Sequence, residues 1–225
     1  MTRLNFKVRE EDYMSIKVIR ATKDPLSLMG ECASLCWNSN PSAQIGIDCI
    51  ESGHGRTLEF PDVIVEINGY SARMIRELYT KIIGVTRLQA STRYIQYGEF
   101  DYYIPDSIKK NDYAYEEYIQ FMHNVQTTYN YLFEQGIPKE DIANILPLAM
   151  HSKIVLKINA RAIIEMALTR LCTRALKEYR EFMIDLIEVV GSIDSEWLKI
   201  MSYAKVKCEV YNRCDEKKSC GKVVE

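Results

Sequence analysis

Apolar residues recur along this chain with two different spacings, and each spacing predicts a different element. The segment VIVEI at residues 63–67 is rich in β-branched residues and lies between Pro61 and Gly69, which predicts a strand. The segment IKVI at residues 16–19 predicts a second strand on the same grounds. With only two such segments, the sequence predicts a small sheet.

Helical spacing dominates the rest of the chain. Met74, Ile75 and Leu78 predict a helix from residue 71 to about 81. Residues 111–135 predict a longer amphipathic helix that ends before Gly136. A third long helix is predicted from about residue 159 to 190, because its apolar residues form one stripe that we interpret as core packing. The residues of this stripe are Ile163, Ile164, Ala167, Leu168, Leu171 and Ala175.

The sequence contains no signal of a domain boundary before about residue 205. It contains no repeat, no low-complexity segment and no Pro/Gly-rich linker. We therefore predict a single α/β domain over residues 1–205. Residues 206–225 are rich in Cys and Lys and predict a mobile tail.

Composition narrows the class of protein. The 225 residues are 47% hydrophobic and 27% charged, which is typical of a globular protein with a sizeable core. A net charge of −2 lacks the strongly basic character of nucleic-acid-binding domains, so a nucleotide is favoured over a polynucleotide. No segment approaches the about 20 apolar residues of a membrane span, and the N-terminus lacks the apolar core of a signal peptide. We expect a cytoplasmic protein without a membrane partner.

The cysteines predict reduced thiols. Seven cysteines without an export signal argue against a disulfide framework. Cys32 and Cys36 lie one helical turn apart in an apolar context and are interpreted as buried packing residues. Cys208, Cys214 and Cys220 form a C-x5-C-x5-C pattern that fits neither a C-x2-C zinc pair nor a redox C-x-x-C. No metal site is expected.

The segment RLQASTRY at residues 87–94 carries the clearest chemical signal. The hydroxyl of Ser91 and the guanidinium of Arg93 lie two residues apart and can hold a phosphate through charge-assisted hydrogen bonds. A solvated arginine beside a helix terminus explains the same residues without a ligand. The segment resembles the substrate-binding signature of the flavin-dependent thymidylate synthase family, which ends in a similar S-x-R-Y.

Further segments resemble the same family, in the same order along the chain. ECASLCWNS at 31–39 resembles its "AARLCY" helix, ESGHGRTLEF at 51–60 resembles "SGHxSxxEH", and YYIP at 102–105 resembles "FYIP". DIANILPLAM at 141–150 resembles "ARYVLP". INARAIIEMALTRLCTRA at 158–175 resembles "NARxLxHFxxLRxxxxAQWEIR". The resemblance therefore extends from about residue 31 to 175.

This resemblance implies both a fold and an activity. The fold would be α/β, with an antiparallel sheet and long helices, assembled as a homotetramer with its sites at subunit interfaces. The activity would transfer a methylene carbon from methylenetetrahydrofolate to C5 of a pyrimidine deoxynucleotide, converting dUMP to dTMP. FAD would deliver the reducing hydride from NADPH, and the protein would mainly position the reactants.

The resemblance also implies roles for ten side chains. Ser91 and Arg93 would bind the nucleotide phosphate with Arg87 and Gln89 beside them, and Arg170 would reach the pyrimidine. Gln89 and Arg170 are the candidates for a catalytic role. The residues on the cofactor side would be His54, Lys81, Asn159, Arg161 and Glu165.

Several positions depart from the family pattern. An Arg-His-Arg triplet of the family appears here as Lys81-Ile82-Ile83, and Glu165 stands where the family has a histidine. An acidic residue two positions before the motif serine appears as Gln89, whose amide could read a different pyrimidine edge. The loss of cations predicts a weakened or remodelled flavin site. Two further replacements, of a His and an Arg, are Phe60 and Ala143.

Three alternatives stay open at this point. Arg161 and Glu165 also fit an exposed i, i+4 ion pair, worth about 0.3–0.5 kcal/mol. The chain could be a diverged nucleotide-binding homologue that has lost flavin binding and redox chemistry. It could also be a partner subunit that completes a site with an intact paralogue.

Overall fold

Four strands form one sheet in the computed structural model of the chain, which describes residues 14–223. The strands are β1 (Ser15–Ala21), β2 (Asp62–Ser71), β3 (Val85–Gln89) and β4 (His151–Asn159). Their order is β1-β2-β4-β3, so β1 and β3 are the edge strands. The predictions of strands at 16–19 and 63–67 are confirmed, and β3 and β4 are additions to them.

The sheet is antiparallel. The Ala72 N–H donates to the Met150 carbonyl at one end of the β2–β4 pair, and the Ala160 N–H donates to the Pro61 carbonyl at the other. This register runs the two strands in opposite directions. Along β2 alternate side chains are fully buried, which is the two-residue period of a strand with one face on the core. The expected α/β fold with an antiparallel sheet and long helices is confirmed.

Helices make up much of the rest of the described chain. Two 3-10 turns, Gly55–Glu59 and Ala143–Ile145, add short helical segments. The α-helices are α1 (Pro25–Trp37), α2 (Ala43–Glu51), α3 (Ala72–Leu78), α4 (Asp106–Lys109), α5 (Asp112–Glu134), α6 (Lys139–Ile142), α7 (Ala160–Arg170), α8 (Lys177–Gly191), α9 (Ser195–Met201) and α10 (Lys207–Tyr211).

Helices α3 and α5 confirm two predictions, but the single helix predicted from 159 to 190 is wrong. The chain leaves helical geometry between α7 and α8, where Leu176 has ψ 127°. The Arg170 guanidinium at the end of α7 stacks over the Tyr179 ring of α8 at 4.5 Å, a contact that a continuous helix could not make. Leu171 and Ala175 therefore belong to a connecting turn and not to a helical core stripe.

The chain divides into two compact units. Unit 1 consists chiefly of Ile67–Ile75 and Gln89–Ile154, and its core packs around Phe100, Met122 and Met150. Unit 2 consists of Ile16–Glu66, Arg76–Leu88 and the chain from Val155 onward. The core of unit 2 includes Trp197, whose indole N–H donates to the Thr22 carbonyl at 2.9 Å. The predicted boundary at residue 205 stays a prediction.

The last residues have a helix and ion pairs in this structure. Two ion pairs join helix α10 to the residues that follow it, from Lys207 to Asp215 and from Lys222 to Glu209, each at 2.5 Å. Earlier in the chain, Cys36 is exposed, so its interpretation as a buried packing residue is wrong. The side chain of Cys36 lies in the last turn of α1, which faces solvent. No helix among residues 14–223 is long and apolar enough to cross a membrane.

Candidate functional site

The end of strand β3 presents the predicted phosphate-binding residues in unit 1. After Gln89 the chain turns, and the Ser91 hydroxyl accepts the Arg93 backbone N–H at 3.2 Å. The Ser91 carbonyl accepts the N–H groups of Tyr94 and Ile95 at 3.3 and 3.1 Å. This turn fixes the backbone and leaves the Arg93 side chain 64% exposed. Ser91 and Arg93 therefore lie together on one turn.

The Arg93 side chain already forms an ion pair with a carboxylate. Arg93 Nε donates to Glu140 Oε2 at 2.8 Å, and the guanidinium stacks over the Tyr94 ring at 5.7 Å. Both partners of the ion pair are more than half exposed, and exposed pairs of this kind contribute only about 0–1 kcal/mol. An incoming dianion could displace Glu140 at little cost.

Gln89 contacts a residue that sequence reasoning missed. Its Nε2 donates to the Ser152 hydroxyl at 3.3 Å, and Ser152 is buried on strand β4. Gln89 itself is exposed, and its amide oxygen is left to accept from a ligand. Pairing across β3 and β4 brings these residues together, and a contact of this range has no local sequence signal.

Unit 2 holds a connected set of charges that we term the Glu165 network: Lys81, Glu165, Arg161 and Glu59. Lys81 Nζ lies 2.5 Å from Glu165 Oε2, and Arg161 Nε lies 2.7 Å from Glu165 Oε1. The Arg161 guanidinium also reaches Glu59 at 2.6 Å. Both oxygens of Glu165 are thus engaged by cations. The predicted i, i+4 pair exists, but as part of a larger network.

Hydrogen bonds within the network determine the protonation states of Glu165 and Arg161. Burial alone would raise the pKa of Glu165, but hydrogen bonds from Lys81 and Arg161 outweigh it and lower that pKa. Hydrogen bonds to Glu165 and Glu59 raise the pKa of Arg161. Glu165 and Arg161 are therefore both charged at neutral pH.

Arg170 is held at the end of α7 by several contacts in unit 2. Its Nη2 lies 3.3 Å from Glu77 Oε2 and 3.3 Å from the Thr80 hydroxyl, and its guanidinium stacks over the buried Tyr179 ring. Burial raises the pKa of Tyr179 to about 12, so the ring is neutral. Arg170 keeps a quarter of its side chain exposed, enough to meet a ligand while being held rigidly.

Arg87 supports the loop that carries Lys81. Its guanidinium donates to the Lys81 carbonyl and stacks over the Tyr79 ring at 4.7 Å, while its Nε is buried without a hydrogen-bond partner. The next two residues, Ile82 and Ile83, are 77% and 76% exposed. Arg87 therefore positions the segment Lys81-Ile82-Ile83, which stands where the family has its Arg-His-Arg triplet. Arg87 itself is only partly accessible.

Asn159 is the N-cap of α7. Its side-chain oxygen accepts the Ala162 N–H at 2.9 Å, which satisfies a donor at the helix start. Gly84 packs against this amide with φ 77°, and a Cβ there would lie 2.6 Å from Asn159 Oδ1. The position of Asn159 is thus set by the cap and by a glycine that no other residue replaces without strain.

His54 lies beside an exposed tryptophan that the sequence did not single out. The Trp37 and His54 rings meet edge to face with centroids 6.2 Å apart, and Trp37 is 58% exposed. The neighbouring Gly55 places its backbone against Arg161, since a Cβ there would lie 3.8 Å from Arg161 Nε. His54 and Trp37 therefore adjoin the Glu165 network within unit 2.

The sequence matches known proteins along most of its length. Residues 17–194 match the model of the family described as "Thymidylate synthase complementing protein". A flavin-dependent thymidylate synthase of Nitratidesulfovibrio vulgaris is 27% identical over 234 residues, covering 92% of this chain and 94% of that protein. One of Thermococcus onnurineus is 26% identical, covering 91% and 90%.

Solved structures show the same fold. Thymidylate synthase X of Helicobacter pylori, crystallised with FAD and dUMP, superimposes with a TM-score of 0.68. The match covers 86% of this chain and 100% of that one at 18% sequence identity. At this identity the likeness describes the fold.

Proposed function

Because this chain belongs to the thymidylate synthase complementing protein family, we propose that it is a flavin-dependent thymidylate synthase. It would transfer one carbon from methylenetetrahydrofolate to C5 of dUMP, with NADPH as reductant. The observation that carries the proposal is the family match over residues 17–194, which contains all ten candidate residues.

The turn after β3 would bind the phosphate of the nucleotide. Arg93 is exposed and supplies a fixed positive charge, and the Ser91 hydroxyl lies on the same turn. Gln89 would face the pyrimidine with its amide oxygen, while Ser152 holds the amide nitrogen. Arg170 would stabilise negative charge that develops on the pyrimidine, because its guanidinium is held in place by Glu77 and Tyr179.

The charges in unit 2 fit an anionic dinucleotide such as FAD. Four cations against three carboxylates leave a net charge of +1 on this surface, and Trp37 and His54 add exposed aromatic area beside it. When bound, FAD supplies the hydride that reduces the transferred carbon. The cations are Lys81, Arg87, Arg161 and Arg170, and the carboxylates are Glu59, Glu77 and Glu165.

We also propose that the protein is a homotetramer. Ile82, Ile83 and Leu88 lie on or next to edge strand β3 and are each more than three quarters exposed. Exposed apolar side chains at a sheet edge favour association, because both the side chains and the strand edge gain from being covered.

A cytoplasmic location agrees with the reduced thiols expected from the sequence.

An FAD titration and a tritium-release assay together test the proposal. We expect saturable FAD binding at micromolar concentration, and release of tritium from C5-labelled dUMP that requires FAD, NADPH and methylenetetrahydrofolate. Arg161→Gln should weaken FAD binding about tenfold or more, because a charge-assisted bond is lost, whereas Arg180→Gln on α8 should not. Absence of both FAD binding and tritium release would favour the diverged nucleotide-binding homologue.

A further inference from the structure

Four cysteines surround one cavity in unit 2, away from the ten candidate residues. The cavity has a volume of about 130 Å³ and is lined by Cys172, Cys208, Cys214 and Cys220. Three of these thiols form the C-x5-C-x5-C pattern at the end of the chain, and Cys172 follows helix α7. None of the ten candidate residues lines this cavity. The family chemistry therefore does not account for the pattern.

Cys220 has surroundings that favour its thiolate form. The Lys222 backbone N–H and the Thr173 hydroxyl donate to its sulfur and lower the pKa of its thiol. The Lys222 ammonium acts on both Cys208 and Cys220 and is anchored to Glu209 at 2.5 Å. Cys220 is also exposed, so a dissolved oxidant can reach it.

The end of the chain is held against the turn that carries Cys172. An Arg174 Nη2 donates to the Lys218 carbonyl at 2.5 Å, and the Thr173 hydroxyl reaches Cys220. The cavity walls carry four basic side chains against two acidic ones. Across residues 14–223, no three His, Cys, Asp or Glu side chains are arranged to hold a metal ion. This geometry favours covalent thiol chemistry over metal binding.

We propose that these four cysteines form a redox-sensitive cluster, in which Cys220 is the reactive thiol and a neighbouring cavity thiol resolves it into a disulfide. The disulfide would tie the end of the chain to itself or to the turn after α7. The oxidant would be a small hydroperoxide such as hydrogen peroxide.

The chemistry balances in two steps. The Cys220 thiolate attacks one peroxide oxygen, the O–O bond breaks, and hydroxide leaves and takes a proton to form water. The sulfur is thereby oxidised to a sulfenic acid. A second thiol gives up its proton, and its thiolate attacks that sulfur. The S–O bond breaks, the S–S bond forms, and the departing hydroxide takes that proton to leave as a second water. Two thiols and one peroxide give one disulfide and two waters.

The test uses the reduced full-length protein. It is treated with stoichiometric hydrogen peroxide, the remaining thiols are blocked with N-ethylmaleimide, and the peptides are identified by mass spectrometry. We expect a disulfide that joins Cys220 to Cys172, Cys208 or Cys214. In a separate assay with limiting iodoacetamide at pH 7, Cys220 should react about threefold or more faster than exposed Cys36.

Two variants separate the proposal from general oxidation of exposed thiols. Cys220→Ser should abolish the disulfide, whereas Cys36→Ser should leave it unchanged. Thr173→Val keeps the thiol but removes a hydroxyl donor, and it should slow the alkylation of Cys220. Matching melting temperatures would show that each variant folds. A disulfide that forms at the same rate in Cys220→Ser, or a Cys220 no more reactive than Cys36, would overturn the proposal.

Discussion

The cations that would bind the ligands of this protein already form ion pairs with its own carboxylates. Glu140 accepts from Arg93, and Glu165 accepts from both Lys81 and Arg161. An anionic ligand must therefore compete with an internal anion at each position. The Arg93–Glu140 pair is more than half exposed, so displacing Glu140 costs little. Lys81 and Glu165 are only 21% and 40% exposed, so their pair is harder to displace.

Replacing Arg93 should weaken nucleotide binding. Arg93→Ala removes a charge-assisted hydrogen bond worth about 1.5–3 kcal/mol, so the KM for dUMP should rise about 10- to 100-fold. Glu140→Gln frees the same guanidinium and should lower that KM about two- to fivefold. Steady-state tritium release measures both values. An unchanged KM in Arg93→Ala would remove Arg93 from the phosphate site.

Replacing Glu165 should strengthen flavin binding. Glu165→Gln removes the carboxylate that Lys81 and Arg161 share, so the dissociation constant for FAD should fall about 3- to 10-fold. Glu181→Gln is the matched control, because Glu181 forms an i, i+4 pair with Lys177 on α8. Fluorescence titration gives the constants. If FAD bound more weakly to Glu165→Gln, the role of Glu165 would be to position the two cations.

At the scale of elements, the N-terminus of helix α1 is capped by a side chain from a helix that is distant along the chain. Glu196 on α9 accepts the Leu26 and Ser27 N–H groups at 2.7 and 3.1 Å, and its other oxygen accepts the Ser27 hydroxyl at 2.8 Å. Asp24, the local N-cap residue, makes no such bond. One carboxylate therefore satisfies the donors at the start of α1 and joins two elements.

Removing the charge of Glu196 should destabilise the fold. Glu196→Gln keeps the shape but loses charge-assisted bonds to the start of α1, so the free energy of unfolding should fall by about 1–2 kcal/mol. Glu188→Gln on an exposed face of α8 should change it by less than about 0.5 kcal/mol. Urea denaturation at pH 7 measures both. Equal effects of the two variants would contradict the capping role.

Local patterns predicted the elements better than their ends and partners. Strands β1 and β2 and helices α3 and α5 follow from hydrophobic spacing. In β4 the alternation of buried Ile154, Leu156 and Ile158 is a strand signal of the same kind. The break between α7 and α8 was not foreseen, because no Gly or Pro marks it and the packing of Arg170 on Tyr179 secures it. That packing is a tertiary contact without a local signal.

In the candidate site, too, the sequence identified residues close together along the chain and missed those that meet only in the fold. The sequence singled out Ser91 and Arg93 by their spacing and paired Arg161 with Glu165, but the turn that carries Ser91 and Arg93 is visible only in the structure. It did not locate Ser152 or Trp37, since both join the site through contacts that are distant along the chain. Charges that compete with a ligand, such as Glu140, are equally invisible before the fold is known.

At the scale of the whole molecule, edge strand β3 would link the candidate site to the proposed oligomer interface. Leu88 is 77% exposed on this strand, and the strand ends in the turn that carries Ser91 and Arg93. Covering the edge would bury apolar side chains, each worth about 1.5–3 kcal/mol when fully buried. An oligomer formed here would therefore also order the residues next to the proposed phosphate-binding turn.

A charge on this edge should dissociate the proposed oligomer. Ile83→Glu combined with Leu88→Glu should shift the protein to a smaller species, because two charges would be buried without partners. Ile184→Glu, at a half-exposed position on α8, is the control and should leave the mass unchanged. Analytical ultracentrifugation measures the mass. An unchanged mass in the double variant would place the interface elsewhere.

The two tryptophans give the protein two separate spectral reporters. Trp197 is fully buried and should emit at shorter wavelength, whereas Trp37 is 58% exposed beside His54 and should emit at longer wavelength. Acrylamide should therefore quench the red component, and a flavin bound against His54 should quench it by energy transfer and shield it from acrylamide. In Trp37→Phe the ligand-dependent red quenching should vanish while the blue emission persists. A chain with one indole in its core and one at its candidate site thus reports folding and occupancy in a single spectrum.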